Sequence, residues 1–326
     1  MDVIDFAIYR HMFPGGQGRF WASRSMVDPR ITPRQIGERV GLTDVAVRNR
    51  LARLRDEGFI QGHEVWPHPG LLGASLRVAE IPLKKLADAD RVVSGLERIV
   101  GVISARIMVD EDNRSVRVSY VEDSPDLTNA RSRDLAALAG AEGPISSRPE
   151  WLPPSPTMLS ALGWRVLLEL RSEPELSLKD HAQRLGISLK TATRWFNELL
   201  DQNAVFWVLQ SDSSLLSVAA YFVWLRDPSV RSAVCGRIEE RIGAWLPIVP
   251  GGLGEPPEPP PPWVAGMFWV RAPAESETLS RTLLSIEGVQ SVQRRFPSNV
   301  VSFQGWFDRR LNEQVRKLGL PSKADA

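Results

Sequence analysis

One segment of the chain carries side chains whose types and spacing suit the reading of DNA bases. Residues 43–57 have the sequence TDVAVRNRLARLRDE, in which every third or fourth side chain is apolar, as on the buried stripe of a helix. The helix face outside this apolar stripe carries Val45, Arg48 and Asn49. Arginine and asparagine match guanine and adenine edges with paired hydrogen bonds, and a small apolar side chain suits the thymine methyl group. We therefore predict base contacts by these three residues.

Further polar residues around this helix are candidates for contacts with the DNA backbone. Between residues 30 and 60, seven arginines outnumber four acidic residues, which gives a local net charge of +3. The alternative interpretation is a solvated helix face, since such faces are commonly rich in arginine. Beside the three base contacts, the predicted DNA-binding residues of this segment are Arg34, Thr43, Arg50, Arg53 and His63.

Two short helices and a turn must position this face. Thr32 is predicted to cap a helix with Pro33 at its first position, and Gly41 is predicted to end it. Thr43 caps the next helix and Gly58 ends it, which is the pattern of a helix-turn-helix. The flanking predictions are a helix over 2–13, a loop over 14–30 and a short β-wing around Gly62.

The same pattern occurs a second time, without a gap, in residues 176–205. Arg39 of the first copy aligns with Arg184 of the second, and Gly41 aligns with Gly186, an offset of 145 residues. A repeat of this kind determines the architecture of a chain. It predicts a tandem duplication that acts as a fused dimer.

The second copy has fewer of the features that favour DNA contact. Its exposed helix face carries Lys190, Thr193 and Arg194, but its net charge is only +1. Trp195 stands where the first copy has Arg50, and is predicted to pack against the domain below rather than to stack on a base. DNA contact and a purely structural role both stay open for this copy.

Each helix-turn-helix is followed by a segment whose hydrophobic period alternates between strand and helix. The predicted order is β-α-β-β-α-β in both cases, which is that of a ferredoxin-like domain. The predicted fold class is α+β, with two winged helix-turn-helix domains alternating with two ferredoxin-like domains. The predicted boundaries are 1–68 and 69–150 for the first pair, 151–159 for a linker, and 160–213 and 214–326 for the second pair, the last with a proline-rich insert and a C-terminal helix.

The first half resembles the Lrp/AsnC (feast/famine) family of transcription regulators. The resemblance implies double-stranded DNA as a partner, a ferredoxin-like domain that dimerises into a homo-oligomer, and often a small-molecule effector. The family's effector stretch is Gly-x-x-Asp-like, and Val109–Asn113 lacks the glycine, so no effector is named. The residues that carry the resemblance are Thr43, Val47, Arg50, Leu51, Leu54, Gly58 and Ile60, followed by the pair Leu72 and Gly73.

Composition excludes several other classes of protein. The formal net charge is only +1, so any attraction to DNA must come from a local patch. Cys235 is the single cysteine, which excludes an internal disulfide and a zinc-ligand spacing. The acidic N-terminus is unlike a signal peptide, and the apolar run 215–225 is too short to span a bilayer. We expect a cytoplasmic protein with no metal, no cofactor and no membrane partner.

The sequence therefore predicts a sequence-specific DNA-binding regulator that is not an enzyme. One alternative is an enzyme like the sirohaem decarboxylases, which resemble this family and use histidine and arginine around a tetrapyrrole. The middle strands VISARIMV and AWLPIV contain no histidine, and this absence argues against the enzyme. A third alternative is an interaction module whose winged helices do not bind DNA.

Overall fold

The structure is a computed structural model of the chain. The predicted proline-rich insert and most of the predicted turn DEDNR lie outside the described residues. The residues that the structure describes are 2–13, 19–21, 24–110, 114–150, 152–154, 158–212, 218–243, 245–248, 262–270 and 272–319.

Helices and strands alternate along the chain in two similar series. The helices are α1 (Val3–His11), α2 (Pro33–Val40), α3 (Asp44–Asp56), α4 (Ala89–Leu96), α5 (Pro125–Ala139), α6 (Ala161–Ser172), α7 (Leu178–Leu185), α8 (Leu189–Asp201), α9 (Arg231–Arg241), α10 (Pro273–Leu284) and α11 (Gly305–Lys317). The strands are β1 (Arg19–Trp21), β2 (Arg24–Met26), β3 (Ile60–Pro67), β4 (Ser75–Pro82), β5 (Val102–Asp110), β6 (Arg114–Glu122), β7 (Ser147–Pro149), β8 (Val205–Ser211), β9 (Val218–Leu225), β10 (Trp245–Ile248), β11 (Trp263–Trp269) and β12 (Val289–Ser302).

The predicted helix caps are confirmed. The Thr32 hydroxyl accepts a hydrogen bond from the Gln35 amide, and the Thr43 hydroxyl accepts one from the Ala46 amide. Ser177 and Ser188 cap α7 and α8 in the same way. Such caps satisfy amide groups that have no partner within the helix, so the four helix starts follow from local sequence.

The turns that end α3 and α8 have similar backbone geometry. Gly58 has a φ of 77°, and Asn203, at the equivalent position, has a φ of 54°. Among the described residues, Asn203 is the only one other than glycine with a positive φ. Asparagine tolerates this left-handed conformation better than most side chains, so it can replace the glycine at this turn.

A four-stranded sheet of order β1-β2-β8-β3 joins the two winged-helix units. It corrects two predictions. The segment 14–30 contains the short strands β1 and β2 in place of a plain loop, and the expected wing is one strand, β3, rather than a hairpin around Gly62. The reason is tertiary pairing: β3 forms a ladder with β8 of the other copy, from Ile60 opposite Ser211 to Pro67 opposite Val205.

The two β-α-β-β-α-β units form one antiparallel sheet of order β10-β11-β9-β12-β5-β6-β4-β7. Within each unit the first strand lies between the third and the fourth, which confirms the predicted ferredoxin-like fold class. The long strand β12 pairs with β9 through its first half and with β5 through its second half. This crossing strand connects the units.

One hydrophobic core links the winged-helix units to the sheet. Trp66 on β3 and Phe307 on α11 are fully buried, and their ring centroids lie 5.3 Å apart. Helices α4 and α5 cover the first ferredoxin-like unit, and α9 and α10 cover the second, each over a separate core. The opposite face of the sheet packs against the winged helices and α11.

Candidate nucleic-acid interface and interunit cleft

Helix α3 buries its predicted stripe and exposes its predicted reading face. Val47 and Leu54 are buried, whereas Val45 is 64% exposed. Arg48 and Asn49 are also exposed. The Arg48 guanidinium lies 2.8 Å from the Asp44 carboxylate one turn earlier, which holds the side chain along the helix surface. An exposed valine beside two polar side chains is a surface that could contact base edges.

Two further predicted DNA-binding residues, Arg34 and Thr43, lie at the surface and at a helix end respectively. Arg34 on α2 is exposed and pairs with Glu38 of the same helix at 3.0 Å. Thr43 is occupied as the N-cap of α3, through its bond of 3.2 Å from the Ala46 amide. Exposed ion pairs are weak, so Arg34 can exchange its partner for a phosphate at little cost.

Arg50 and Arg53, which were predicted to meet phosphates, are placed against α1. Both guanidinium groups contact the carboxylate of Asp5, at 2.8 Å and 2.5 Å, and Asp5 is fully buried. Arg50 also lies 2.9 Å from Asp2. Two arginines around one buried carboxylate indicate a structural role in fixing α1 on α3.

This cluster also sets the protonation of Asp2. Burial by itself raises the pKa of Asp2, but hydrogen bonds from the Arg50 guanidinium and from the Asp5 amide outweigh it and bring the pKa to about 2. Asp2 therefore stays charged at neutral pH, both as the N-cap of α1 and as a partner of Arg50.

The structure corrects the placement of His63. It lies on β3, 14% exposed, with its Nδ1 2.7 Å from the Glu175 carboxylate of the other copy. The hydrogen bond with His63 lowers the pKa of Glu175. Since β3 pairs with β8 and forms no projecting wing, His63 faces the second unit and not a DNA backbone.

The second copy divides its predicted residues between two surfaces. Lys190 and Arg194 are exposed on α8, whereas Thr193 lines a cleft shared with the first unit. Trp195 packs on α6 of its own winged-helix unit and not on the domain below: a Cβ atom at Gly163 would lie 2.8 Å from its ring. The same position thus contacts the first helix of its unit in both copies, through Arg50 in one and Trp195 in the other.

The cleft between the two winged-helix units has a volume of about 540 Å³. Leu51 and Arg55 of α3 lie on one side, and Thr193, Phe196 and Asn197 of α8 lie on the other. Sequence reasoning missed this site because its walls come from segments more than a hundred residues apart. An ion pair between Arg30 and Asp201, at 2.6 Å, also joins the two units.

A second polar surface lies on the sheet face away from α4 and α5. Arg106 on β5 stands directly opposite Arg117 on β6, and Arg117 stands opposite Glu80 on β4. Arg295 of β12 reaches this row, with its guanidinium 4.0 Å from the Glu80 carboxylate. The same guanidinium lies over the ring of Phe222, 5.0 Å from its centroid. Like charges directly opposite each other repel, so an anion would stabilise this row.

Neither a metal cluster nor a membrane-spanning helix is found in the described residues. No group of three or more histidine, cysteine or acidic side chains there is arranged to hold a metal ion. Among the helices of the same residues, none is both long and apolar enough to cross a membrane.

Comparison with known families gives a match to one segment of the chain. Residues 26–61 match the model of the winged helix-turn-helix DNA-binding family. This match runs from Met26, the last residue of β2, through α2 and α3 to the start of β3. No curated protein matches the chain.

Comparison with solved structures gives two groups of neighbours. The siroheme decarboxylase NirDL is 13% identical and covers 98% of this chain and 100% of its own, with a TM-score of 0.49. The leucine response regulatory protein LrpA of Mycobacterium tuberculosis is 22% identical, covers 49% of this chain and 99% of its own, and has a TM-score of 0.31. An AsnC family regulator from Agrobacterium tumefaciens is 15% identical over 50% of this chain and 99% of its own, with a TM-score of 0.30.

These neighbours correct the prediction that the protein is not an enzyme. The structure that matches nearly the whole chain is that of an enzyme, whereas the regulators match only half of it. The prediction relied on the absence of histidine from two strands, and such an absence does not exclude an enzyme. One fold can also host unrelated functions.

Proposed function

We propose that the protein is a sequence-specific DNA-binding regulator that reads DNA through α3 of its first winged-helix unit. The observation that carries the proposal is the exposed surface of Val45, Arg48 and Asn49 on α3, within the segment that matches the DNA-binding family. The N-terminal turns of a recognition helix are those that enter the major groove. Arg34 on α2 and Thr43 at the start of α3 would contact phosphates.

We propose further that the two winged-helix units are a tandem duplication that forms a fused pseudo-dimer. The pairing of β3 with β8 and the ion pair between Arg30 and Asp201 support this arrangement. Lys190 and Arg194 would then meet a second half-site, with a weaker contribution because the second copy carries less positive charge. The same proposal includes self-association of this chain and binding of a small-molecule effector. Sedimentation velocity would test the self-association.

The experiment is a binding titration on the DNA upstream of its own gene and on random DNA, over a series of salt concentrations. Arg48→Ala and Arg194→Ala test the two helices. Arg281→Ala, an exposed arginine on α10 paired within its helix, is the matched control. We expect Arg48→Ala to weaken specific binding by about 1–3 kcal/mol, roughly fivefold to 150-fold, with the control unchanged. Equal weak binding of all variants to all sequences would refute the proposal.

A second candidate function is catalysis on a ligand that bears several carboxylates. The observation that favours it is the row formed by Arg106, Arg117 and Arg295 on the shared sheet face, with Phe222 beside it. Sirohaem is a ligand of this chemistry, and its absorbance reports binding directly. We expect Arg117→Met to abolish a spectral shift of added sirohaem and Arg281→Met to preserve it. If sirohaem gives no saturable shift with the unmodified protein, this second candidate fails and the first is unaffected.

A further inference from the structure

The cleft between the two winged-helix units has the size and lining of a ligand pocket. Its volume of about 540 Å³ lies within the range of roughly 300–1,000 Å³ that is typical of small-molecule sites. Most of its walls are apolar, as such sites require. The apolar side chains come from both units: Met12, Val27, Ile36, Leu51, Leu170, Phe196 and Trp207.

The acidic groups that line the cleft both have a partner. The Asp28 carboxylate lies 2.9 Å from the Arg30 guanidinium, and Glu175 lies 2.7 Å from His63. Arg55, exposed at the rim, makes no ion pair with any residue in the described part of the chain, although its charge adds to the effect of the His63 hydrogen bond in lowering the pKa of Glu175. The Arg55 guanidinium therefore keeps its hydrogen-bond donors for a ligand, and an anionic group is their complement.

A buried imidazole gives a second, independent indication of a ligand. His181 lines the cleft and is only 2% exposed. Its Nδ1 lies 3.3 Å from Glu169, while its Nε2 has no hydrogen-bond partner among the residues that the structure describes. A buried polar atom without a partner costs about 1–3 kcal/mol, so such atoms in native proteins usually meet a ligand or water. When the ring carries a proton on both nitrogens, Nδ1 donates to Glu169 and Nε2 donates to a ligand.

We infer that this cleft is a binding site for a small apolar monocarboxylate. The apolar part of the ligand lies between Leu51 and Phe196, and its carboxylate accepts hydrogen bonds from His181 and Arg55. Because the walls come from both units, an occupant of the cleft fixes the separation of α3 and α8. The site is distinct from the DNA-reading surface, which lies at the other end of α3.

Isothermal titration calorimetry on the full chain, without DNA, tests the inference. The probes are phenylacetate, 4-phenylbutyrate and octanoate, each beside its neutral amide. We expect at least one carboxylate to bind with one site per chain and a Kd of about 1 mM or below, and its amide to bind at least about tenfold more weakly. That factor corresponds to the loss of about 1.4 kcal/mol.

Three variants locate the binding. Arg55→Ala and His181→Phe should each weaken the carboxylate at least about tenfold, whereas Arg281→Ala should leave its affinity unchanged. Arg55 is exposed, so its replacement keeps the test valid even where His181→Phe fails to fold. The inference is overturned if none of the three carboxylates saturates the protein, if the amides bind equally well, or if Arg55→Ala has no effect. Because no DNA is present, each of these results leaves the regulator proposal standing.

Discussion

Arg50 and Arg53 on α3 share the buried carboxylate of Asp5 on α1, and this arrangement predicts a strongly non-additive loss of stability. Each arginine can compensate for the other, since both contact Asp5 within 2.8 Å. Methionine is the replacement of choice because it keeps an unbranched stem and removes the charge. Either single substitution, Arg50→Met or Arg53→Met, leaves one cation on Asp5 and should cost about 1 kcal/mol.

The double substitution leaves a fully buried carboxylate without a cation. Removing the partner of a buried charge costs about 3–5 kcal/mol, so the double variant should lose at least about 1 kcal/mol more than the sum of the two singles. Urea unfolding followed by circular dichroism at pH 7 measures all three free energies of unfolding. Arg281→Met is the control, because Arg281 is exposed on α10 and pairs with Glu277 of its own helix.

Additivity within about 0.5 kcal/mol would refute the reasoning. It would mean that Asp5 draws its stabilisation from elsewhere, and that the two arginines are free to contact phosphates as the sequence suggested. In that case Arg50→Met would weaken DNA binding without a change in stability.

Three further predictions concern the backbone and the pH dependence of stability. Gly58→Ala should destabilise the protein by about 1 kcal/mol in urea unfolding. The cause is backbone strain at a φ of 77°, since an added Cβ meets nothing within 4 Å and makes no clash. Asn203→Gly is the opposite test, and a loss of stability there would contradict the strain argument. Burial lowers the pKa of His68, so the unfolded chain takes up its proton first and stability should fall as pH drops below about 6.5. Thermal melts of His68→Asn should show a flatter profile than those of the unmodified protein, and equal profiles would count against it. The pKa of Asp2 lies at about 2 in the folded protein, so the stabilisation by its charged carboxylate is present above the unfolded pKa of 3.8 and is lost as the pH falls from 3.8 to about 2. The stability of Asp2→Asn should converge on that of the unmodified protein over this pH range.

The local elements could be predicted from the sequence because their causes are local. Thr32 and Thr43 bond to amides three residues later, and the apolar stripe of α3 follows from a period of 3.6 residues. The order of strands and helices in the two ferredoxin-like units is a consequence of the same periodicities. The exposed face of α3 was predictable for this reason as well, since a helix that buries one stripe must expose the other.

The partners of the side chains on those elements were decided by tertiary structure. Arg50 meets Asp5 across 45 residues of chain, and His63 meets Glu175 across 112. The hydrophobic periodicity of a segment does not specify such distant partners. The pairing of β3 with β8 depends on the packing of both halves of the chain around one core. The sequence by itself therefore determined the repeated pattern, the caps and the reading face. Only the tertiary structure decided that two predicted phosphate contacts hold α1, that the wing is a strand between the units, and that a cleft lies where they meet.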